Sequence, residues 1–389
     1  MADESDFERF TGPDHRRIPR PGGIGAWVAA IAVAIAVGLI ILWPGSLPAL
    51  DLSDIGFADE VVEAEVVTAT RGPCQFAEEL DCRFYEFSLT DAPTETAVLD
   101  FLDEPGQPRL EVGDELFLAV VSFDDGTVDY QYADQDRRLL LLVLGVVFAA
   151  AVVGLGRIRG LAALAGLVIS LGILLLFILP AIVAGEDAVM VALIGGGAIA
   201  LVSLYLAHGP HPLTHVAALG AFSALVLTTA LSWLVIAIAN FSGLVSEEAF
   251  FLLALPDLDL NGLLLAGIVL GAIGALDDVT VTQASAVWEV HRANPSLGPG
   301  ELFEAGLRVG RDHIVSTVNT LLLAYAGASL PLLIFFALSQ QSLGLIASSE
   351  IVAVEIVRTL VGSIGLVAAV PATTWLASRV VKQSSRVSP

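Results

Sequence analysis

The chain predicts an α-helical polytopic membrane protein, with about eight transmembrane helices and a small extracytoplasmic all-β, OB-like domain. Three observations lead there. Hydrophobic residues make up 56% of the 389, charged residues only 15%, and mean hydropathy is +0.79, whereas soluble domains carry about 25% charged residues. Apolar runs of 18 or more residues recur, each long enough to cross about 30 Å of hydrocarbon. Strand-like sequence is confined to one polar segment between them.

In chain order, residues 1–24 are polar and carry Arg9, Arg16, Arg17 and Arg20 among prolines, which reads as a disordered cytoplasmic tail. Residues 25–43 form the first span. Its apolar core is long for a signal peptide and no small-residue cleavage site is clear, so it reads as an uncleaved anchor ended by "WPGSLP". Residues 44–138 hold five β-branched and aromatic stretches: "VVEAEVVTAT" (61–70), "RFYEFSLT" (83–90), "ETAVLDFL" (95–102), "LFLAVVSF" (116–123) and "TVDYQY" (127–132). Turn signals such as "EPGQP", "VGD" and "DDG" separate them, the pattern of a small barrel or sandwich.

Most of the chain's net charge of −24 sits in that segment: residues 51–138 hold 23 Asp and Glu against five Arg. Such acidity suits solubility or attraction of cations and argues against nucleic acid as a partner. Cys74 and Cys82, the only cysteines, both lie there. Two cysteines make a poor metal site, whereas a short disulfide loop suits an oxidising compartment.

Residues 139–378 read as a seven-helix transmembrane domain, with spans near 139–156, 160–184, 188–207, 213–240, 260–288, 314–338 and 350–378. Arginine placement orients them. Arg157 and Arg159, then Arg292, Arg308 and Arg311, fall in alternate loops with the N-terminal tail, and Arg379, Lys382 and Arg386 fall in the tail 379–389. The intervening loops, with Glu186 and Asp187, Phe241 to Asp257, and Ser339 to Ser349, contain no Lys or Arg. Both termini are therefore expected in the cytoplasm and the β domain outside, in a multi-pass cell-membrane protein. "GPGELFEAGLRVGRDH" puts Leu302, Ala305, Gly306 and Val309 on one helical side and reads as a short helix on the inner surface.

Intramembrane chemistry concentrates in "GAIGALDDVTVTQASAVWEV" (271–290). Asp277 and Asp278 are adjacent, followed by Thr280, Thr282 and Gln283. Gly274 weakens the helix and either aspartate can cap a new segment near Val279, so "DDVT" is expected to start the second half of a broken or tightly bent helix, its carboxylates facing a water-filled cavity, in preference to a continuous helix. Ser316, Asn319 and Thr320 on the next span share a face at comparable depth and complete an expected ion-binding set. Glu355 and Arg358, three apart in an apolar helix, read as a salt bridge serving as a gate pair or second site. His208, His211 and His215 in "HGPHPLTH" read as a polar turn, because Pro210 and Pro212 break the spacing a metal would need. Neither metal nor cofactor is expected. The GxxxG step of Gly267 and Gly271 permits a homo-oligomer.

"GALDDVTVTQASAVWE", "GRDHIVSTVNTLLLAYAGASLPLL" and "EIVRTLVGSIGLVAAVP", in this order, resemble the YibE/F family of bacterial multi-pass membrane proteins, and "DYQYADQDRRLLLLVLGVVF" is similar to it too. The resemblance runs over about residues 60–380. It implies a membrane protein and suggests transport. One departure is the turn at 208–215, which tends to carry a lysine in that family and here offers histidines.

Two functions follow. The first is gradient-driven transport of an ion or small solute through an intramembrane carboxylate site, with a small cation or proton as partner. No GxxxxGK[ST] loop is present and the only lysine is Lys382, so nucleotide hydrolysis is not the drive. The alternative is a receptor or scaffold whose acidic domain binds a ligand or partner. An enzyme is not expected, since an intramembrane aspartyl protease needs aspartates on facing helices, and neighbours diverge by about 100°.

Overall fold

The computed structural model describes residues 23–45, 60–74, 79–90, 96–122, 127–254, 258–339 and 341–386, so most of the expected N-terminal tail lies outside the described residues. The chain forms two compact units, residues 49–154 and residues 1–48 together with 155–389.

Among the described residues the smaller unit contains five strands: β1 (Glu60–Pro73), β2 (Asp81–Leu89), β3 (Thr96–Leu102), β4 (Glu115–Ser122) and β5 (Val128–Gln135). Each coincides with an expected stretch, because the alternation of apolar and polar residues presents one face to a core. They form one antiparallel sheet in the order β3-β2-β1-β4-β5. Register breaks between Val66 and Thr68 of β1, and between Phe117 and Leu118 of β4, bend the strands. The sheet curls until Phe101 of β3 meets Tyr132 of β5 edge to face at 5.8 Å. Val66, Tyr85, Phe87, Leu116 and Leu118 fill the interior, and the Tyr85 hydroxyl accepts from the Leu110 amide at 3.2 Å. Cys74 and Cys82 are disulfide-bonded and buried. Arg83 donates through Nε and Nη2 to Asp103, 2.7 Å each. That bond holds the Asp103 carboxyl below the usual aspartate range.

In the larger unit α1 (Ile24–Ile41) packs Ile35 against Gly197 of a later helix. Helix α2 (Arg138–Ile173) contains one non-helical residue, Arg157, with φ 51° and ψ −129°. A π-helical turn at Leu174–Ile178 and α3 (Leu179–Val183) follow, where Pro180 removes a backbone donor. Helix α4 (Ala188–His208) is capped by Asp187, which accepts from the Met190 amide at 2.8 Å. Helix α5 (Pro212–Ala239) starts on its proline and stops at Asn240, in the left-handed region. After a short α6 (Glu247–Phe251) come α7 (Leu260–Ala293), α8 (Pro299–Ala328), α9 (Leu330–Leu338), α10 (Leu343–Ser348) and α11 (Glu350–Arg386).

Among the described residues six helices are long and apolar enough to cross a membrane, or seven if α8 and α9, bent by 66°, form one span. The expected straight span 314–338 is thus bent at Ser329, just before Pro331. The expected surface helix is not separate. It is the first part of α8, whose Leu302, Gly306 and Gly310 are buried. Helix α11 runs helical through Arg386, past the expected span end at 378.

Helix α7 is central, contacting α4, α5, α8 and α11. Small residues set its approach distances. A methyl at Gly306 of α8 would fall 2.7 Å from Val287 and 2.9 Å from Thr374, and one at Gly310 would meet Val370 at 2.5 Å. Such close backbones replace the hydrophobic drive that lipid does not provide.

Candidate functional site

Asp277 lies about midway along α7 and points toward α4, where Ser203 Oγ donates to its Oδ2. Its Oδ1 is buried and has no hydrogen-bond partner. Gly166 of α2 lets a third helix close over the pair, since a methyl there would touch the Ser203 Cα at 3.7 Å. Thr280, fully buried one turn on, donates to the Asp277 carbonyl at 3.2 Å. No Lys or Arg forms an ion pair with Asp277 among the described residues. The site is a carboxylate held by one hydroxyl, with one oxygen free to accept.

The break expected at "DDVT" is not there: α7 runs unbroken from Leu260 to Ala293. Gly274 costs a helix about 1 kcal/mol, a minor term beside packing on four neighbouring helices and the larger cost of unpaired backbone in hydrocarbon. Asp277 bonds Ser203 instead of capping a new segment.

The other expected ligands are not assembled around it. Asp278 and Thr282 are exposed on a different face of α7. Gln283 is buried and braces three helices: its Nε2 donates to the Gly306 carbonyl at 2.8 Å and to Thr374 Oγ1 at 2.7 Å. Ser316, Asn319 and Thr320 are exposed on α8, and Thr320 Oγ1 donates to the Ser316 carbonyl. No hydrogen bond joins them to either aspartate among the described residues.

Glu355 and Arg358 do pair, Nη1 to Oε1 at 2.7 Å. The guanidinium lies 6.0 Å from the Tyr325 ring centre, and the GxxxG step makes room for both groups. Gly267 lies beside Arg358, and Gly271 beside the Tyr325 hydroxyl. That step therefore seats polar groups of this same chain. Beside the pair is a cavity of about 210 Å³ lined by Tyr325, Ser329, Glu355, Thr359 and apolar side chains. Arg358 reaches α7 ten residues before Asp277, about 15 Å along the helix axis.

At the turn between α4 and α5, His215 bonds the Tyr205 hydroxyl and His211 caps α5 through Nδ1. No group of three or more His, Cys, Asp or Glu fit to hold a metal occurs among the described residues. Ser203 and Gly166 were not singled out in the sequence. Each is one small residue in an apolar run, Ser203 is 74 positions from Asp277, and only helix packing brings them together.

Apolar helices in this number, packed around an unpaired buried acid, define a multi-pass membrane protein. The chain belongs to the YibE/F family: residues 144–383 match the model of the family described as YibE/F-like protein. That match covers the helices from within α2 to α11 and none of the five strands. No curated protein and no solved structure matches the chain.

Proposed function

We propose that the protein is a gradient-driven transporter of a small cation, the proton included, and that Asp277 is the group that takes it up. One observation carries this reading: a buried carboxylate oxygen within a membrane-crossing helix has neither a hydrogen-bond donor nor a basic partner. Intramembrane acids are costly, and those kept mark ion and proton pathways. The Ser203 hydroxyl and the free Oδ1 offer hard oxygen ligands for a cation. Asp278, one residue on and exposed, adds negative field near the site without touching it.

The finer topology belongs to the same proposal. Helix α2, divided at Arg157, supplies two spans, and eight spans place both termini in the cytoplasm of a cell-membrane protein. The β unit then lies outside as an OB-like barrel, a reading supported by its strand order and by the meeting of β3 with β5.

The test is cation flux into proteoliposomes containing the full chain, driven by an imposed proton or sodium gradient. Wild-type protein should carry flux, and Asp277→Asn should reduce it to the level of empty vesicles while inserting normally. Unchanged flux in Asp277→Asn would remove the assignment.

A further inference from the structure

Helices α5 and α11 carry the same residue pattern. Gly220, Ala224, Thr228, Thr229 and Leu231 recur, at identical spacing, as Gly365, Ala369, Thr373, Thr374 and Leu376. The two copies face one another in opposite directions. The Thr373 hydroxyl abuts Gly220 and the Thr228 hydroxyl abuts Gly365, while buried Ala224 and Ala369 fall midway between these contacts. The second threonine of each copy repeats one hydrogen bond, Thr229 Oγ1 to the Leu225 carbonyl and Thr374 Oγ1 to the Val370 carbonyl. The two segments thus pack antiparallel with reciprocal glycine–threonine contacts.

The first threonine of each copy breaks the usual rule. Thr228 and Thr373 are both fully buried, and neither hydroxyl has a hydrogen-bond partner. A threonine in a helix can donate to the carbonyl one turn back, as Thr229 and Thr374 do. A buried hydroxyl left without a partner asks for an explanation. The surroundings point to one. Among the described residues of the larger unit, the buried Thr, Ser and Gln side chains all lie on α5, α7 or α11, so the seam between these helices is its polar interior. Thr280 joins that seam to the candidate site: its Cγ2 lies 3.4 Å from where a methyl on Gly220 would stand, and its hydroxyl bonds the Asp277 carbonyl.

We propose that the α5–α7–α11 seam is the path of the transported cation, shut here at two gates, Gly220–Thr373 and Thr228–Gly365. This rests on the reading of Asp277 as the uptake site. Eight residues separate the gates along each helix, about 12 Å. A rocking motion of α5 against α11 about Ala224 and Ala369 opens one gate as it tightens the other, the behaviour that inverted repeats support. In the opened gate the threonine hydroxyl gains the partner it lacks in the closed one, a water or the passing cation. The identical chemistry at the two ends lets one ion meet the same oxygen ligands on entry and on exit.

Thr228→Cys and Thr373→Cys, made separately in the full-length protein, test this in oriented proteoliposomes with a small positively charged methanethiosulfonate. Cys74 and Cys82 are joined and give no background. Each new cysteine should be modified, Thr373→Cys from the cytoplasmic face and Thr228→Cys from the other, whereas Leu227→Cys, on an outward-facing position, should stay unmodified. No modification at either position in protein that elutes as a single species makes the seam a sealed core and overturns the path. Modification of both from one face overturns the two-gate arrangement. Thr228→Val and Thr373→Val keep the volume and remove the hydroxyl, and each should slow flux several-fold; wild-type flux in both would also overturn the proposal. Labelling does not depend on flux. If the cysteines behave as expected while Asp277→Asn transports normally, the path stands and the uptake site lies elsewhere.

Discussion

Two carboxylates lie within the apolar helices, Asp277 on α7 and Glu355 on α11, and they are treated in opposite ways. At the α4–α7 contact Asp277 has a serine hydroxyl and no base. Among α7, α8 and α11, Glu355 has Arg358 three residues on in its own helix, with Tyr325 beside the guanidinium. An acid that carries its own cation is close to neutral and has little to gain by binding another. An acid without one is costly at depth and, on the proposal above, is the group that takes a cation up. Within one unit, the difference separates an acid left without a cation from one that carries its own.

The largest expected effect attacks that contrast directly. Asp277→Asn should abolish flux and Ser203→Ala should weaken cation affinity, read as a rightward shift of the concentration dependence. Glu355→Gln should retain measurable flux. Equal loss in Asp277→Asn and Glu355→Gln, in equally folded proteins, would erase the distinction between the two acids.

Next in size is stability at the ion pair. Arg358→Met leaves Glu355 charged without its partner, which should destabilise the helical unit by about 3 kcal/mol. The double variant with Glu355→Gln should recover most of that, measured as the midpoint of unfolding in mixed micelles. Asp277→Asn should change the midpoint little, because no ion pair is broken.

The β unit extends the comparison to acids of a polar segment. Removing the disulfide by Cys74→Ala with Cys82→Ala should cost that unit about 2.5 kcal/mol, since so short a loop restricts the unfolded chain only modestly. Limited proteolysis between residues 60 and 135 reads the loss. Flux set by Asp277 should survive it.

The smallest effect concerns Asp103. Its carboxyl is held low by Arg83, so the stability it contributes is complete above the ordinary aspartate range near pH 3.9. That contribution is lost as pH falls through the lowered value. The urea midpoint of the β unit should therefore fall on acidification below about pH 4, and Asp103→Asn should flatten the profile there. An identical acid profile in the variant would show that Arg83 and Asp103 do not set it.

Much of this was legible without coordinates. Each strand lay where β-branched alternation put it, because period two has only one way to bury a face. The apolar spans announced themselves by length, and Glu355 with Arg358 by a spacing that places them on one side of a helix. Asp277 stood out as a charge in an apolar run. The assembly around it did not. Shared depth suggested Ser316, Asn319 and Thr320 as its companions, but they lie exposed on α8.

Local sequence thus determined which segments become helices and strands, and that an acid sits at depth, since hydrophobic period and charge are properties of consecutive residues. Tertiary structure alone decided that the acid meets Ser203 under Gly166, that α7 stays unbroken, and that Gly220 faces Thr373 while Gly365 faces Thr228. The reason is physical: in an apolar helix every side looks fit for burial, so the facing partner is chosen by close fit of small residues across sequence separations that no local pattern records.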